Sequence, residues 1–224
     1  AARRPRPGHV RSAGRASRCP APWRFLSVSR GLGAVLTRRI LITSTLAWPT
    51  LQAWAAAPQA EAALRAGGVV AAFRHALAPG TFDPPGFRLG DCATQRNLSD
   101  EGRAQARRMG EWFASRSLQP SRVRSSPWCR CMDTATLAFG RAQAWDALAS
   151  PRGVSESAGA ANLKTLRKAL VEASARRGVF EVWVTHMFVL SDLVGADTAS
   201  GEGLILQADV GAAPKVLARL AAPS

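Results

Sequence analysis

The chain has 224 residues, with 30 Lys and Arg against 15 Asp and Glu, and 47% of its residues are hydrophobic. This length favours one domain with an adequate core, and the apolar share excludes wholesale disorder. A net charge of +15 by itself suggests nucleic-acid binding. However, residues 1–39 hold ten Arg and no acid, which leaves 20 bases and all 15 acids from Ala56 onward. The basicity belongs to the head of the chain, and we expect the body not to bind nucleic acid.

The head has the three parts of a secretory signal. Arg38 and Arg39 precede an uncharged apolar run over residues 40–57, which contains an Ala-x-Ala site at residues 53–55. Pro49 interrupts the run and argues against a spanning helix. We expect cleavage near Ala55, a periplasmic or secreted protein, and no stable membrane insertion after signal removal. A cytoplasmic protein that keeps this segment is the alternative, and the paired arginines also resemble a twin-arginine signal.

Residues 1–34 are low in complexity, being mostly Arg, Ala, Gly, Pro and Ser without periodicity. A signal normally begins within a few residues of its basic pair, so we expect this stretch to be either an over-extended reading of the start site or a basic arm. The predicted organisation is therefore a basic head over 1–34, a signal peptide over 35–55 and one domain over 56–224.

Within that domain, predicted strands alternate with predicted helices. In chain order they are a helix over 61–66, a strand over 69–73, a long loop over 77–97, a helix over 101–116 capped by Ser99, a strand over 122–125, a helix from Ser126-Pro127 to about Phe139, a helix over 163–177, a strand over 179–185, and a closing strand pair over 204–207 and 216–220. This alternation predicts a three-layer α/β/α fold with a mostly parallel, doubly wound sheet.

Two histidines occur in the predicted domain, and each directly follows an apolar strand. His75 follows residues 69–74, and His186 follows the strand that ends at Thr185. The carboxyl ends of strands in an open α/β sheet face the ligand crevice. We therefore expect the two imidazoles to meet, although 111 positions separate them in the chain.

Two arginines are expected at the same edge of the sheet. Arg74 precedes His75, and Arg130 falls in the first turn of the helix that opens at Ser126-Pro127. A helix N-terminus favours anions, and a guanidinium adds a bidentate hydrogen-bonding fork. These residues predict a phosphate pocket. The sequence has neither a glycine-rich phosphate loop nor a carboxylate metal cluster, so no metal and no cofactor is expected.

Four segments resemble the signatures of the histidine phosphatase superfamily, also called phosphoglycerate-mutase-like. They are Phe73–Ala76, Asn97–Ala106, Ser125–Ala135 and Val184–His186, and they stand in the family's order and spacing. The resemblance covers roughly residues 67–210, and within the family the chain is similar to the short phosphatase-type members. The brief segment 150–161 leaves no room for a large cap, which separates the chain from phytase-like members.

The resemblance implies that His75 is the nucleophile and forms a phosphohistidine that water then hydrolyses. Arg74, Arg130 and His186 would hold the phosphoryl oxygens, and Asn97 would be a further substrate-binding residue. The implied substrate is a small phosphomonoester or the phosphohistidine of a phosphoprotein. A neutral imidazole is a competent nucleophile near pH 7, which agrees with this role.

The sequence also departs from the family's pattern. Ala76 stands where many members have Gly, and an apolar Met187-Phe188-Val189 follows His186. The general acid is not assigned, and the candidates are Glu156, Glu202, Asp146 and Asp192. These departures motivate an alternative, a catalytically weak relative that binds phosphorylated ligands without turnover.

Cysteine placement gives a last expectation. If the domain is exported, Cys92 in the long loop can pair with either Cys129 or Cys131, which flank Arg130. Such a bridge would tie the loop to the helix that carries the predicted phosphate ligand.

Overall fold

The computed structural model describes residues 57–209 and 211–222, and the predicted head and signal peptide lie outside these residues. Five α-helices and six strands occur in the described part. Their bounds are α1 Ala57–Ala66, β1 Val69–Arg74, α2 Asp100–Ala114, β2 Arg122–Ser125, α3 Cys129–Phe139, β3 Gln143–Ala144, α4 Glu156–Ser174, β4 Phe180–Thr185, α5 Met187–Val194, β5 Gly203–Gln207 and β6 Lys215–Leu220. None of these helices is both long and apolar enough to cross a membrane.

The six strands form one sheet in the order β3-β2-β4-β1-β5-β6. Strands β3, β2, β4 and β1 run parallel to one another, whereas β5 runs antiparallel to both β1 and β6. The predicted α/β class and the mostly parallel sheet are confirmed, as is the closing strand pair. Because β1, β2 and β4 share one direction, their carboxyl ends lie at the same edge of the sheet.

Both faces of the sheet are buried. On one face Phe73 and Val182 pack with α1, α2 and α3, and on the other Ala72 and Trp183 pack with α4 and α5. All six residues of β4 are buried, which explains its nearly continuous apolar sequence. The predicted three-layer arrangement is confirmed.

Several features differ from the sequence-based expectations, among them the short strand β3, which was not predicted. Helix α4 begins at Glu156, seven positions before the predicted Leu163, because the Ser155 hydroxyl caps it by accepting from the Ala158 N–H. Helix α5 was not predicted, since eight residues are too few for a helical period to stand out in the sequence. Helix α3 begins at Cys129, and Ser126 is not its N-cap as predicted, because the Ser126 hydroxyl bonds to His186 instead.

Candidate active site

A small cavity opens where β1, β2 and β4 end, and the loop over residues 77–97 covers one side of it. Its volume is about 130 Å³. Aromatic residues, including Phe82, Phe87 and Phe188, surround a set of polar side chains. The polar side chains that line the cavity are those of Arg74, His75, Thr81, Asp83, Arg96, Arg130, Ser150, Arg152 and His186. The volume lies below the several hundred Å³ typical of sites for drug-sized ligands, so the cavity suits a small polar group.

The structure brings the two predicted histidines together. Both side chains are buried, and their ring centroids lie 5.7 Å apart. His75 directly follows β1, and its backbone N–H continues the pairing with β4 by donating to the Thr185 carbonyl over 2.9 Å. His186 directly follows β4 and precedes α5. The parallel register of β1 and β4 therefore accounts for the meeting of residues that are distant in sequence.

The hydrogen bond of His75 determines which of its nitrogens is free. Its Nδ1 lies 2.7 Å from the carbonyl oxygen of Ala76, which can only accept, so Nδ1 carries the proton. Nε2 then keeps its lone pair. The next backbone N–H, of Ala76, donates to Thr134 Oγ1 on α3 over 3.0 Å, which fixes this segment against the helix. His75 is thus held in one orientation with a nucleophilic nitrogen available.

Burial lowers the pKa of His75 from its ordinary 6.5 to about 3, and the nearby positive charges of Arg130, Arg96 and Arg74 add to this effect. The bond to Ala76 opposes the shift. Burial, with Arg130 next in importance, likewise holds the pKa of His186 well below 6.5. Both imidazoles are therefore neutral at physiological pH, which is the form that His75 needs as a nucleophile.

His186 is bound on both ring nitrogens by the protein. Arg130 Nη2 lies 3.4 Å from Nδ1, and because a guanidinium only donates, Nδ1 accepts. Nε2 then carries the proton and donates to Ser126 Oγ over 2.8 Å. In this arrangement His186 supports Arg130 directly.

Four arginines line the cavity, and three of them, Arg74, Arg96 and Arg130, are each anchored through Nη1 and are here called the pocket arginines. The Nη1 of Arg74 donates to the Thr198 carbonyl over 2.7 Å, and that of Arg96 donates to the Ala78 carbonyl. Arg130 Nη1 donates to Asp83 Oδ1 over 2.8 Å. In all three the Nε is buried and has no hydrogen-bond partner among residues 57–209 and 211–222. A buried N–H donor without a partner costs free energy. The three Nε–H groups are therefore suited to an anion with several acceptor oxygens.

Arg96 was not predicted as a site residue, and the adjacent Asn97 was. The structure places Asn97 outside the cavity, where its Nδ2 donates to the Cys92 carbonyl over 2.6 Å. Burial, followed by the charge of Arg130, lowers the pKa of Arg96 to about 10, so the guanidinium remains charged at neutral pH. The motif that begins at residue 97 therefore indicates the correct stretch of chain, but the side chain that lines the cavity is that of Arg96.

None of the four candidate acids lines the cavity. Glu202 accepts from the Ala199 N–H and from Arg219, and Asp146 begins a 3₁₀ turn. Glu156 and Asp192 line a neighbouring groove of about 510 Å³. Within the part of the chain that the structure describes, the carboxylate that lines the cavity is that of Asp83, in the long loop.

A disulfide fastens the long loop beside the cavity. Cys92 is bonded to Cys129, with 5.7 Å between their Cα atoms, so the structure selects one of the two predicted pairings. Gln95 Oε1 accepts from the Cys129 N–H over 3.0 Å and strengthens the same junction. Cys131 is buried, its Sγ lies 3.6 Å from His186 Nε2, and burial raises its pKa to about 12. It is therefore an unreactive thiol at neutral pH.

We expect the Cys92–Cys129 bridge in the oxidised protein, and trypsin can report it. Cleavage after Arg88, Arg96, Arg124, Arg130 and Arg141 places the three cysteines on separate peptides, 89–96, 125–130 and 131–141. A non-reducing digest should join the first two peptides and leave the third with an alkylated thiol. A crosslink that includes peptide 131–141, or three alkylated peptides, would contradict the bridge.

The depressed pKa of His75 also predicts how stability depends on pH. Its contribution is complete above pH 6.5 and is lost as the pH falls from 6.5 towards about 3, because the unfolded state binds the proton first. Between pH 7 and pH 4.5 the wild-type protein should lose roughly 2 kcal/mol more unfolding free energy than His75→Gln. Urea unfolding at the two pH values measures this difference. Equal losses would mean that His75 keeps an ordinary pKa in the folded protein.

Part of the chain matches a known protein family. The model of the histidine phosphatase superfamily (branch 1) matches residues 92–152, which confirms the predicted resemblance over a segment that includes Arg96 and Arg130. None of the curated proteins matches the chain.

Three solved structures are similar to the chain. They are the protein histidine phosphatase SixA complexed with tungstate (17% identity over 68% of this chain and 96% of that one, TM-score 0.48), the putative phosphohistidine phosphatase SixA from Agrobacterium tumefaciens (20% identity, 69% and 98%, TM-score 0.46), and the open reading frame Rv3214 from Mycobacterium tuberculosis (15% identity, 66% and 94%, TM-score 0.49).

Proposed function

We propose that this chain, which carries the sequence pattern of the histidine phosphatase superfamily, hydrolyses a phosphomonoester or a phosphohistidine through a phosphohistidine intermediate on His75. The observation that carries the proposal is the juxtaposition of an oriented, neutral His75 with Arg74, Arg96 and Arg130 in one small cavity. A nucleophile surrounded by preplaced cations is what phosphoryl transfer requires.

The reaction would proceed in two displacements. The lone pair of His75 Nε2 attacks phosphorus, the new N–P bond forms, and the leaving group departs with the electrons of the bond that breaks. Water then attacks the phosphohistidine, inorganic phosphate leaves, and His75 recovers its lone pair. Throughout both steps the guanidiniums would balance the charge on the phosphoryl oxygens.

The described part of the cavity supplies no clear proton donor for the leaving group. The two imidazoles are neutral and hydrogen-bonded, and the bonds from Arg130 hold the pKa of Asp83 below its usual range although burial acts to raise it. Leaving groups that depart without a proton from the enzyme should therefore react best, and these include aryl oxides and the imidazole of a phosphohistidine. The alternative, a phospho-ligand binder without turnover, predicts no reaction even with an aryl phosphate.

Rapid-quench labelling tests the proposal. Mixing the protein with a ³²P-labelled aryl phosphate should give a phosphoenzyme within the first turnover, and the label should be labile in acid and stable in base, as a phosphorylated imidazole is. Labelling on an acid-stable residue would reject His75 as the nucleophile. Phosphate binding without label or turnover would instead favour the binding alternative.

We also propose that the protein acts in an exported compartment. The disulfide beside the cavity supports this, because such bonds persist mainly in oxidising compartments. N-terminal sequencing of the native protein should give a first residue close to Ala56. Protein that retains residues 40–55 in the cytosol would refute export.

A further inference from the structure

Asp83 accepts four hydrogen bonds in the cavity wall, and the predicted chemistry does not use it. Its Oδ1 accepts from Arg130 Nη1 over 2.8 Å and from the Arg96 N–H over 3.0 Å. Its Oδ2 accepts from Arg130 Nη2 over 3.2 Å and from Trp128 Nε1 over 3.1 Å. A carboxylate has about four acceptor positions, and all four are occupied.

The contact between Asp83 and Arg130 leaves the Nε–H of the guanidinium available to bind an anion. The carboxylate binds the end formed by Nη1 and Nη2. The other edge carries Nε, which is buried without a partner among the described residues, whereas the second hydrogen of Nη2 points to His186 Nδ1 at 3.4 Å. A guanidinium can bind a carboxylate at its end and an anion at its side at the same time.

Arg130 differs from the other two pocket arginines in its anchor. Arg74 and Arg96 are held by backbone carbonyls, whereas Arg130 is held chiefly by the Asp83 side chain, with a longer bond of 3.3 Å to the Arg96 carbonyl. The Asp83–Arg130 pair is almost completely buried, with side chains 9% and 4% exposed. Removal of one partner from a buried pair therefore affects the other directly.

We propose that Asp83 is a positioning residue, which holds Arg130 so that its Nε edge faces the phosphoryl group. This inference rests on the proposed function. Asp83 is not the missing general acid, because its acceptor positions are filled by donors and it has no proton to give. Because Asp83 also accepts from the Arg96 N–H, it fixes the backbone of that second pocket arginine as well.

A double-mutant cycle tests this role. Asp83→Asn keeps the size of the side chain but places N–H donors against the guanidinium, so kcat/KM for p-nitrophenyl phosphate should fall about 10- to 100-fold. In an Arg130→Ala background the same substitution should change kcat/KM by less than about 2-fold, because the group it positions is gone. Additive losses in the two backgrounds would overturn the proposal.

The leaving group gives a second readout that a merely structural effect would not move. Loss of a proton donor would slow phenyl phosphate more than p-nitrophenyl phosphate, since phenolate leaves less readily. A positioning role predicts the same fold loss for both substrates. A larger loss for phenyl phosphate would make Asp83 a general acid and refute the proposal.

Asp91→Asn is the matched control. Asp91 lies in the same loop, outside the cavity lining, and its carboxylate pairs with exposed Arg88 over 2.6 Å. This variant should retain wild-type kcat/KM. If Asp83→Asn does not fold, Asp83→Ser replaces it in the same cycle.

The cycle remains informative if the wild-type protein proves inactive and the proposed function fails. Calorimetric titration with inorganic phosphate then replaces kinetics. Asp83→Asn should change the phosphate Kd at least about 3-fold when Arg130 is present and leave it unchanged in the Arg130→Ala protein. Equal changes in both backgrounds would show that Asp83 acts independently of Arg130.

Discussion

Replacement of His75 by alanine is expected to abolish turnover and phosphoenzyme formation together. Among the described residues, the Nε2 of His75 accepts no hydrogen bond, so its lone pair is available. Both nitrogens of His186, in contrast, are bonded to Arg130 and Ser126. Removal of a covalent nucleophile removes the pathway that it opens, so the loss should exceed that from any single charge-stabilising residue. Single-turnover labelling and steady-state rates with an aryl phosphate measure both effects.

Phosphate binding provides the control for His75→Ala. The three pocket arginines remain, so inorganic phosphate should bind the variant with an affinity within a few-fold of wild type. Binding without turnover would separate loss of the nucleophile from collapse of the cavity. Near-wild-type turnover in this variant would show the histidine phosphatase mechanism to be wrong for this protein.

Arg130→Ala is expected to lower kcat/KM by about 10²–10³-fold, the usual cost of losing one preplaced donor to transition-state charge. It should also destabilise the fold by roughly 3–5 kcal/mol, because it leaves the buried carboxylate of Asp83 without its cation. Arg130→Lys should recover part of the activity only, since an ammonium cannot form two parallel hydrogen bonds from a planar group. Steady-state kinetics and urea unfolding on the same preparations measure the two losses.

Two further variants separate the causes of these losses. Asp83→Asn combined with Arg130→Ala should regain much of the stability of the single Arg130→Ala protein without regaining activity. Arg103→Ala removes a more exposed guanidinium, paired with Asp133 over 3.2 Å, and should change both quantities little. If Arg103→Ala costs as much as Arg130→Ala, the effect is not specific to the cavity.

The parts of the site that the sequence predicts are those fixed by secondary structure. His75 and His186 follow apolar strands, and parallel strands end at one edge, so their meeting follows from local pattern and topology. Arg130 is predictable for a similar reason, because it lies in the first turn of a helix that follows β2. The fold class follows from the same alternation of strands and helices.

The parts that the sequence does not predict depend on long-range side-chain contacts. Asp83 and Arg96 lie in a loop of about twenty residues with no periodicity, and their positions are set by Arg130, Trp128 and backbone carbonyls distant in the chain. Ser126 was assigned to a helix cap because Ser-Pro is typical of that position, but a tertiary contact with His186 takes its hydroxyl. Short-range preference is weak against a specific buried partner.

The clustered arginines would link the stability of this protein to inhibition by the product of the proposed reaction. Burial and repulsion from Arg130 lower the pKa values of Arg74 and Arg96, so these two guanidiniums make the unliganded fold less stable than it would be without their charges, whereas Arg130 is paired with Asp83. An anion that binds between them relieves that repulsion and stabilises the folded state by mass action. Inorganic phosphate, the end product of the proposed reaction, is such an anion. Phosphate buffers should therefore both preserve the protein best during purification and inhibit it most. Substitutions of Arg74 or Arg96 that relieve the repulsion should lower activity and raise thermal stability.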